Sequence, residues 1–237
     1  MFDYKIFKLK ENEKKKYFLE IIKKITFKKL KEGFYFDIKY GFTEDLRKNN
    51  VKCPSFNFDT IFVDILFNQH IIHKIHKILK KPFFLDHIQF RNVYQNNNSY
   101  ASWHRDTFIE NNKFVGPIPQ SIKLMFYPKF GIEEKCLSLK EKSNVLFDVD
   151  KKCLLKKEIN KKIDSYNTNI ISINNSNDEM LLFDTTTYHN AEMPQKNMFQ
   201  PRIIYVFYFD KNQLKQEHDL YLYFKQKCIN HNIKCLF

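Results

Sequence analysis

The segment Ser99-Tyr-Ala-Ser-Trp-His-Arg-Asp-Thr107 constrains the fold more than any other stretch of the chain. It carries His104 and Asp106 two residues apart, so on an extended strand the imidazole and the carboxylate leave the same face. Together they supply two thirds of the two-His-one-carboxylate facial triad that suits a non-haem ferrous ion. The remaining ligand must be a second His brought in by a distant strand. Between Asp106 and residue 217 the chain has one His, His189, in Asp184-Thr-Thr-Thr-Tyr-His-Asn-Ala-Glu192. Thirteen residues further on, Arg202 heads the apolar run Arg-Ile-Ile-Tyr-Val-Phe-Tyr-Phe.

Periodicity along the chain agrees. Residues 11–32 repeat Tyr17, Phe18, Ile21, Ile22, Ile25 and Leu30 at helical spacing against a Lys/Glu face, with Gly33 as a stop. A strand is expected over 34–40, a loop over 41–54, and a second helix over 59–80 that ends before Pro82. From residue 84 the period changes to two. Strands are expected at 87–94 and 121–127, a strand or its immediate exit at 103–107, a pair of short strands within 135–149, and others at 169–173, 180–183, 189–192 and 202–209. On 87–94, Gln89, Arg91 and Val93 share one face, and Ile88, Phe90 and Asn92 the other. Residues 96–99 and 174–178 read as turns, and 109–119, with Gly116-Pro117 and Pro119, as a loop placed to cover a barrel mouth. The stretch 150–167 reads as a Lys-rich surface excursion and 212–234 as a closing helix. The expected fold is mainly β with flanking helices, a double-stranded β-helix of the cupin-like jelly-roll type. It forms one domain over 1–237, with a flank at 1–83, a core at 84–210 and a C-terminal helix at 211–237.

At this point the chain resembles a known family. The order His-x-Asp, His, Arg over residues 85–210 is similar to that of the 2-oxoglutarate- and Fe(II)-dependent dioxygenases, and within them to the phytanoyl-CoA-dioxygenase-like group. The resemblance implies that His104, Asp106 and His189 are iron ligands and that Arg202 binds the distal carboxylate of 2-oxoglutarate. It also implies oxidative decarboxylation of that co-substrate to succinate and CO2 with dioxygen, coupled to hydroxylation of a small molecule. Lys123, Gln89 and Tyr94 are further candidates for co-substrate contact, and Arg91, Trp103 and Arg105 for the substrate. Two departures stand out: Ile204 and Ala191 occupy positions where many members carry a Ser or Thr. Asp106 speaks against a halogenase of this superfamily, in which that carboxylate is missing. Tyr208, six residues after Arg202, stands where nucleic-acid demethylases carry a second Arg. Prolyl hydroxylases and histone demethylases usually use Lys in the role assigned here to Arg202.

Composition matters for the choice of partner. The formal net charge is +13, which suits an anionic ligand, but the abundance of Lys, Asn, Ile and Phe beside only 4 Gly also fits an AT-rich coding sequence. Arg is more telling, because its planar fork is matched to carboxylates and phosphates. The chain has four (47, 91, 105 and 202), three of them flanking the candidate site. A small-molecule substrate, anionic or partly apolar, is therefore expected, and nucleic acid is disfavoured. The five Cys form no short paired framework, the N-terminal residues are charged throughout, and no apolar run reaches membrane-span length. These point to a reducing cytoplasm without membrane insertion.

Three other readings compete. A basic barrel without catalysis would bind nucleic acid. A cupin-type metal oxygenase would use no keto acid. A zinc-stabilised module would use Cys228-x2-His231-x3-Cys235. His70, His73 and His76, at i, i+3 and i+6 of the second helix, form a His-rich face with no carboxylate to complete a metal site.

Overall fold

The computed structural model describes residues 2–8, 34–37, 60–68, 70–94, 103–106, 109–110, 113–114, 121–126, 135–146, 161, 165–174, 179–191, 199–214 and 217–236. The expected helix at 11–32, the loop at 41–54, the turn at 96–99 and most of 150–167 lie outside them.

Eleven strands are present among these residues: β1 (Tyr4–Lys8), β2 (Phe34–Asp37), β3 (Phe84–Tyr94), β4 (Ile109–Glu110), β5 (Lys113–Phe114), β6 (Ser121–Phe126), β7 (Lys135–Lys140), β8 (Ile170–Asn174), β9 (Glu179–Asp184), β10 (His189–Ala191) and β11 (Phe199–Tyr208). A six-stranded sheet runs in the order β1-β9-β6-β11-β3-β2, a three-stranded sheet in the order β10-β7-β8, and β4 and β5 form a hairpin. Every pairing is antiparallel.

The large sheet is buried on both faces, which is why β11 reads as an unbroken apolar run rather than an alternating one. Ile203, Tyr205 and Phe207 join one hydrophobic core and Ile204 and Val206 another. The first core lies between the sheet and the helices α1 (Ile61–Asn68), α2 (Ile71–Leu79) and α3 (Asp219–Asn230). Phe83 meets Phe207 edge-to-face with ring centroids 5.6 Å apart, and Phe224 of α3 lies 5.8 Å from Phe67 of α1. The second core holds Met125, Leu181, Phe183, Ile204 and Val206 of the large sheet together with Leu137 and Leu139 of β7, so the two sheets pack face to face.

Several boundaries differ from the sequence reading. The single helix expected at 59–80 is two, because His70 adopts a left-handed conformation (φ 52°) between them. A straight helix of that length would extend roughly 33 Å; the break folds Ile71, Ile72 and Ile75 back onto the core that Val63, Leu66 and Phe67 also fill. The strand pair expected within 135–149 is β7 followed by a 3-10 turn, Ser143–Leu146. Ser143 and Asn144 are used there as hydrogen-bonding side chains rather than as strand residues. The loop expected at 109–119 contains the β4–β5 hairpin. The closing helix is shorter than expected, capped by His218, whose Nδ1 accepts from the Tyr221 amide at 3.2 Å. β1, an edge strand on β9, was not foreseen.

Candidate metal centre

The site is built where the chain leaves β9 and returns as β10. Asp184 starts a tight turn, accepting from both the amide and the hydroxyl of Thr186 at 2.9 and 2.7 Å. The Thr185 hydroxyl donates to the Ser121 carbonyl at 3.0 Å and meets the Ser121 hydroxyl at 2.8 Å, which fixes the turn to the start of β6. The Tyr188 amide donates to Ser143 Oγ at 2.8 Å, and that hydroxyl donates to the Lys140 carbonyl at 2.6 Å. Thus a buried polar turn has its hydrogen bonds made from three sides, as burial requires.

The Trp103–Asp106 segment attaches to this turn. Of the strand or strand exit expected over 103–107, the described residues Trp103–Asp106 form an isolated bridge at His104. His104 and His189 exchange backbone hydrogen bonds, N to O, at 2.9 and 2.8 Å, and the Asp106 amide donates to the Thr185 carbonyl at 3.2 Å. The bridge sets the two imidazoles side by side, with ring centroids 4.4 Å apart. One ligand atom each from His104, Asp106 and His189 lies within 4.8 Å of the others. His189 Nε2 is 3.9 Å from Asp106 Oδ1.

The electrostatics suit a cation. His189 Nδ1 lies 2.9 Å from the Thr187 carbonyl, so it is the nitrogen that donates and Nε2 keeps its lone pair on the Asp106 side. Burial, then the neighbouring His104, pushes the His189 pKa down to about 3 against the opposing pull of Asp106. Burial works against a charged Asp106, but Lys123 beside it, together with the two imidazoles, holds its carboxyl well below the usual carboxylate range. Lys123 Nζ is 2.5 Å from Asp106 Oδ2. One anionic oxygen, a neutral imidazole at His189 and a second imidazole at His104 form a donor set that fits Fe(II) or a similar divalent ion.

The other expected site residues fall as follows. Lys123 stands on β6, opposite Val206 of β11 and Phe183 of β9. Gln89 is buried on β3 opposite Ile204, its Nε2 at 2.9 Å from His87 Nε2; His87 Nδ1 in turn lies 2.6 Å from Asp86 Oδ2. Trp103 is half-buried under Lys140, whose ammonium lies 5.3 Å from the ring centroid. Arg105 is 4% exposed; its guanidinium stacks 4.3 Å over the Tyr188 ring and donates to the Tyr188 hydroxyl. Arg202 pairs in register with Arg91 across β11 and β3, and Tyr94 with Phe199. The side chains of Arg202, Arg91 and Tyr94 lie outside the described residues.

Sequence reasoning missed the supports. Asp3 Oδ1 accepts from the Thr187 hydroxyl at 2.9 Å, Oδ2 from the Lys142 amide at 2.8 Å, and its carbonyl from the Asp184 amide at 2.9 Å. The Thr-Thr-Thr run before Tyr188 was the available signal, since clustered hydroxyls favour hydrogen-bonded turns.

No family model and no curated protein matches the sequence. Solved structures do match. AviO1 from Streptomyces viridochromogenes Tue57 superposes with a TM-score of 0.52 at 13% identity, covering 89% of this chain and 90% of the other. HygX from Streptomyces hygroscopicus, with nickel and 2-oxoglutarate bound, gives 0.57 at 9% identity over 94% of each chain. The epimerase SnoN of nogalamycin biosynthesis, in complex with Fe3+, alpha ketoglutarate and nogalamycin RO, gives 0.58 at 11% identity, covering 87% of this chain and 79% of the other. At these identities the likeness is one of fold.

Proposed function

We propose that this chain is a non-haem Fe(II)- and 2-oxoglutarate-dependent oxygenase that hydroxylates a small-molecule, biosynthetic substrate. The observation that carries the reading is the convergence of His104, Asp106 and His189, with His189 tautomerically fixed by Thr187. The metal and 2-oxoglutarate reported in HygX and SnoN support it. We assign the chain to the phytanoyl-CoA-dioxygenase-like group on its motif order, and its two sheets to one jelly-roll domain. No described helix is long and apolar enough to cross a membrane. Buried free thiols at Cys228 and Cys235 suit a reducing cytoplasm.

The residues would divide the work as follows. His104, Asp106 and His189 hold the iron. Lys123, whose Nζ lies 2.5 Å from Asp106 Oδ2, would offer its ammonium to a carboxylate of the co-substrate beside the iron ligands. Arg202 binds the distal carboxylate of 2-oxoglutarate, and we assign Gln89 and Tyr94 of β3 as further co-substrate contacts. Arg91 and Trp103 are substrate contacts. We assign Arg105 a positioning role, because its stack on Tyr188 joins the two segments that carry the ligands. When bound, iron and 2-oxoglutarate supply the oxidation: dioxygen is consumed, 2-oxoglutarate leaves as succinate and CO2, and one oxygen atom enters a substrate C–H bond.

The test is succinate formation by protein given Fe(II), 2-oxoglutarate and air, with no primary substrate. Slow uncoupled turnover is expected from the wild type and none from His104→Ala or His189→Ala. Wild-type rates in those variants, or no succinate from iron-loaded wild type at any 2-oxoglutarate concentration, would overturn the assignment.

A further inference from the structure

Two histidine-bearing motifs that the candidate centre leaves unused meet on the helical layer. His70 is the left-handed residue preceding α2, and His73 lies in the first turn of that helix. His231 is the C-cap of α3, its amide bonded to the Lys227 and Cys228 carbonyls. The fold brings these ends together. The His73 ring lies 5.8 Å from that of His70 and 6.1 Å from that of His231, and the Phe67 ring backs His231 at 5.0 Å. His70 and His231 are exposed and His73 is half-buried. The two cysteines that bracket His231 point elsewhere: Cys228 and Cys235 are buried in the core against the large sheet. The Cys-x2-His-x3-Cys motif therefore does not close on itself, and its His joins the His-rich face of α2 instead.

The geometry points to a second metal site formed by His70, His73 and His231, which takes a divalent transition ion of the zinc, nickel or copper type. An imidazole nitrogen binds such an ion at about 2.0–2.1 Å, which puts each ring centroid roughly 3.2 Å from it and two rings on one ion about 5–6 Å apart. The His70–His73 separation falls in that range and the His73–His231 separation just above it, so His73 is the central ligand and the His70 and His231 rings turn in towards it. Among the described residues only the first triad has three ligand atoms within 4.8 Å of one another. The helical site is therefore completed by rotation of the rings, which two exposed side chains permit. Burial, and then the adjacent His70, His231 and His76, lowers the His73 pKa, so its ring is available as a neutral donor. An all-imidazole set without a carboxylate favours zinc, nickel and copper over magnesium, manganese or ferrous iron. A bound ion would tie the start of α2 to the end of α3 and so clamp the layer that backs the large sheet.

The test is equilibrium dialysis of full-length protein against Zn(II), an ion that the donor set of the first triad would also take. Wild type is expected to take up two equivalents. His73→Ala and the exposed-site variant His231→Gln should each retain one, His189→Ala should also retain one, and His73→Ala combined with His189→Ala should retain none. The wild-type melting temperature should rise in two steps with zinc, and His231→Gln should keep only one. Zinc uptake that is the same in wild type, His73→Ala and His231→Gln overturns the proposal, whether the wild type takes up one equivalent or two; a lone equivalent lost in His231→Gln but kept in His189→Ala upholds it and counts against the first triad instead. Because His231→Gln leaves the first triad intact, loss of its second equivalent is independent of any oxygenase activity.

Discussion

His189 is held in one chemical state by its surroundings. Its Nδ1 is committed to the Thr187 carbonyl, and its pKa lies at about 3 in the fold, compared with about 6.5 in an unfolded chain. Between those values the unfolded chain binds a proton that the folded chain refuses, so acid favours unfolding. Asp106 acts in the same direction. Its folded pKa lies below the unfolded value, so the stability it contributes is present above about pH 3.9 and is lost as pH falls further. The melting temperature of metal-free protein should therefore drop between about pH 6.5 and pH 4. His189→Gln, which cannot titrate, should flatten that slope. An unchanged slope in the variant would show that His189 is not buried as a neutral ring.

At the scale of elements, the two residues that lead into the unforeseen β1, Phe2 and Asp3, are the part on which the centre depends. Asp3 joins the turn bearing His189 to the Lys142 amide through both carboxylate oxygens, and the Phe2 carbonyl accepts from Asn144 at 2.6 Å. Groups that orient metal-bound imidazoles typically change metal affinity by 10–100-fold when removed. Asp3 acts one residue further out, through Thr187, so Asp3→Ala is expected to weaken Fe(II) binding by about 10-fold, read by anaerobic titration. Unaltered affinity would mean that the turn holds its shape without the Asp3 carboxylate. β1 was illegible because Lys5 and Lys8 interrupt a five-residue pattern; charged residues of this kind are common on edge strands, where they discourage further pairing. The His-x-Asp spacing was legible because two residues of extended chain fix both side chains on one side whatever the partner. His70's positive φ carries no sequence signature, and so the split of the second helix could not be read.

Across the whole molecule, the large sheet separates two cores with different duties. The inter-sheet core carries Lys123 and the turn that presents His189, while the helical core supplies much of the aromatic burial. Phe224 is fully buried among Phe67, Phe83 and Phe207. Phe224→Ala should cost about 3–5 kcal/mol in denaturant unfolding while the folded fraction keeps its Fe(II) affinity. A parallel loss of iron affinity would show that the two cores are coupled. The mainly β class was legible in the switch from helical to alternating period near residue 84. The strand order was not, because pairings such as β9 with β6 and β11 with β6 depend on contacts distant in sequence.

Anaerobic titration of metal-free protein with Fe(II) and then 2-oxoglutarate, followed by visible absorption, addresses the metal and the co-substrate together. A weak metal-to-ligand charge-transfer band should appear in the wild type, vanish in His189→Ala and weaken in Arg202→Ala. Iron binding without the band would remove 2-oxoglutarate and leave a cupin-type oxygenase. No iron binding at all would contradict the triad assignment itself and turn attention to anionic ligands of the basic surface.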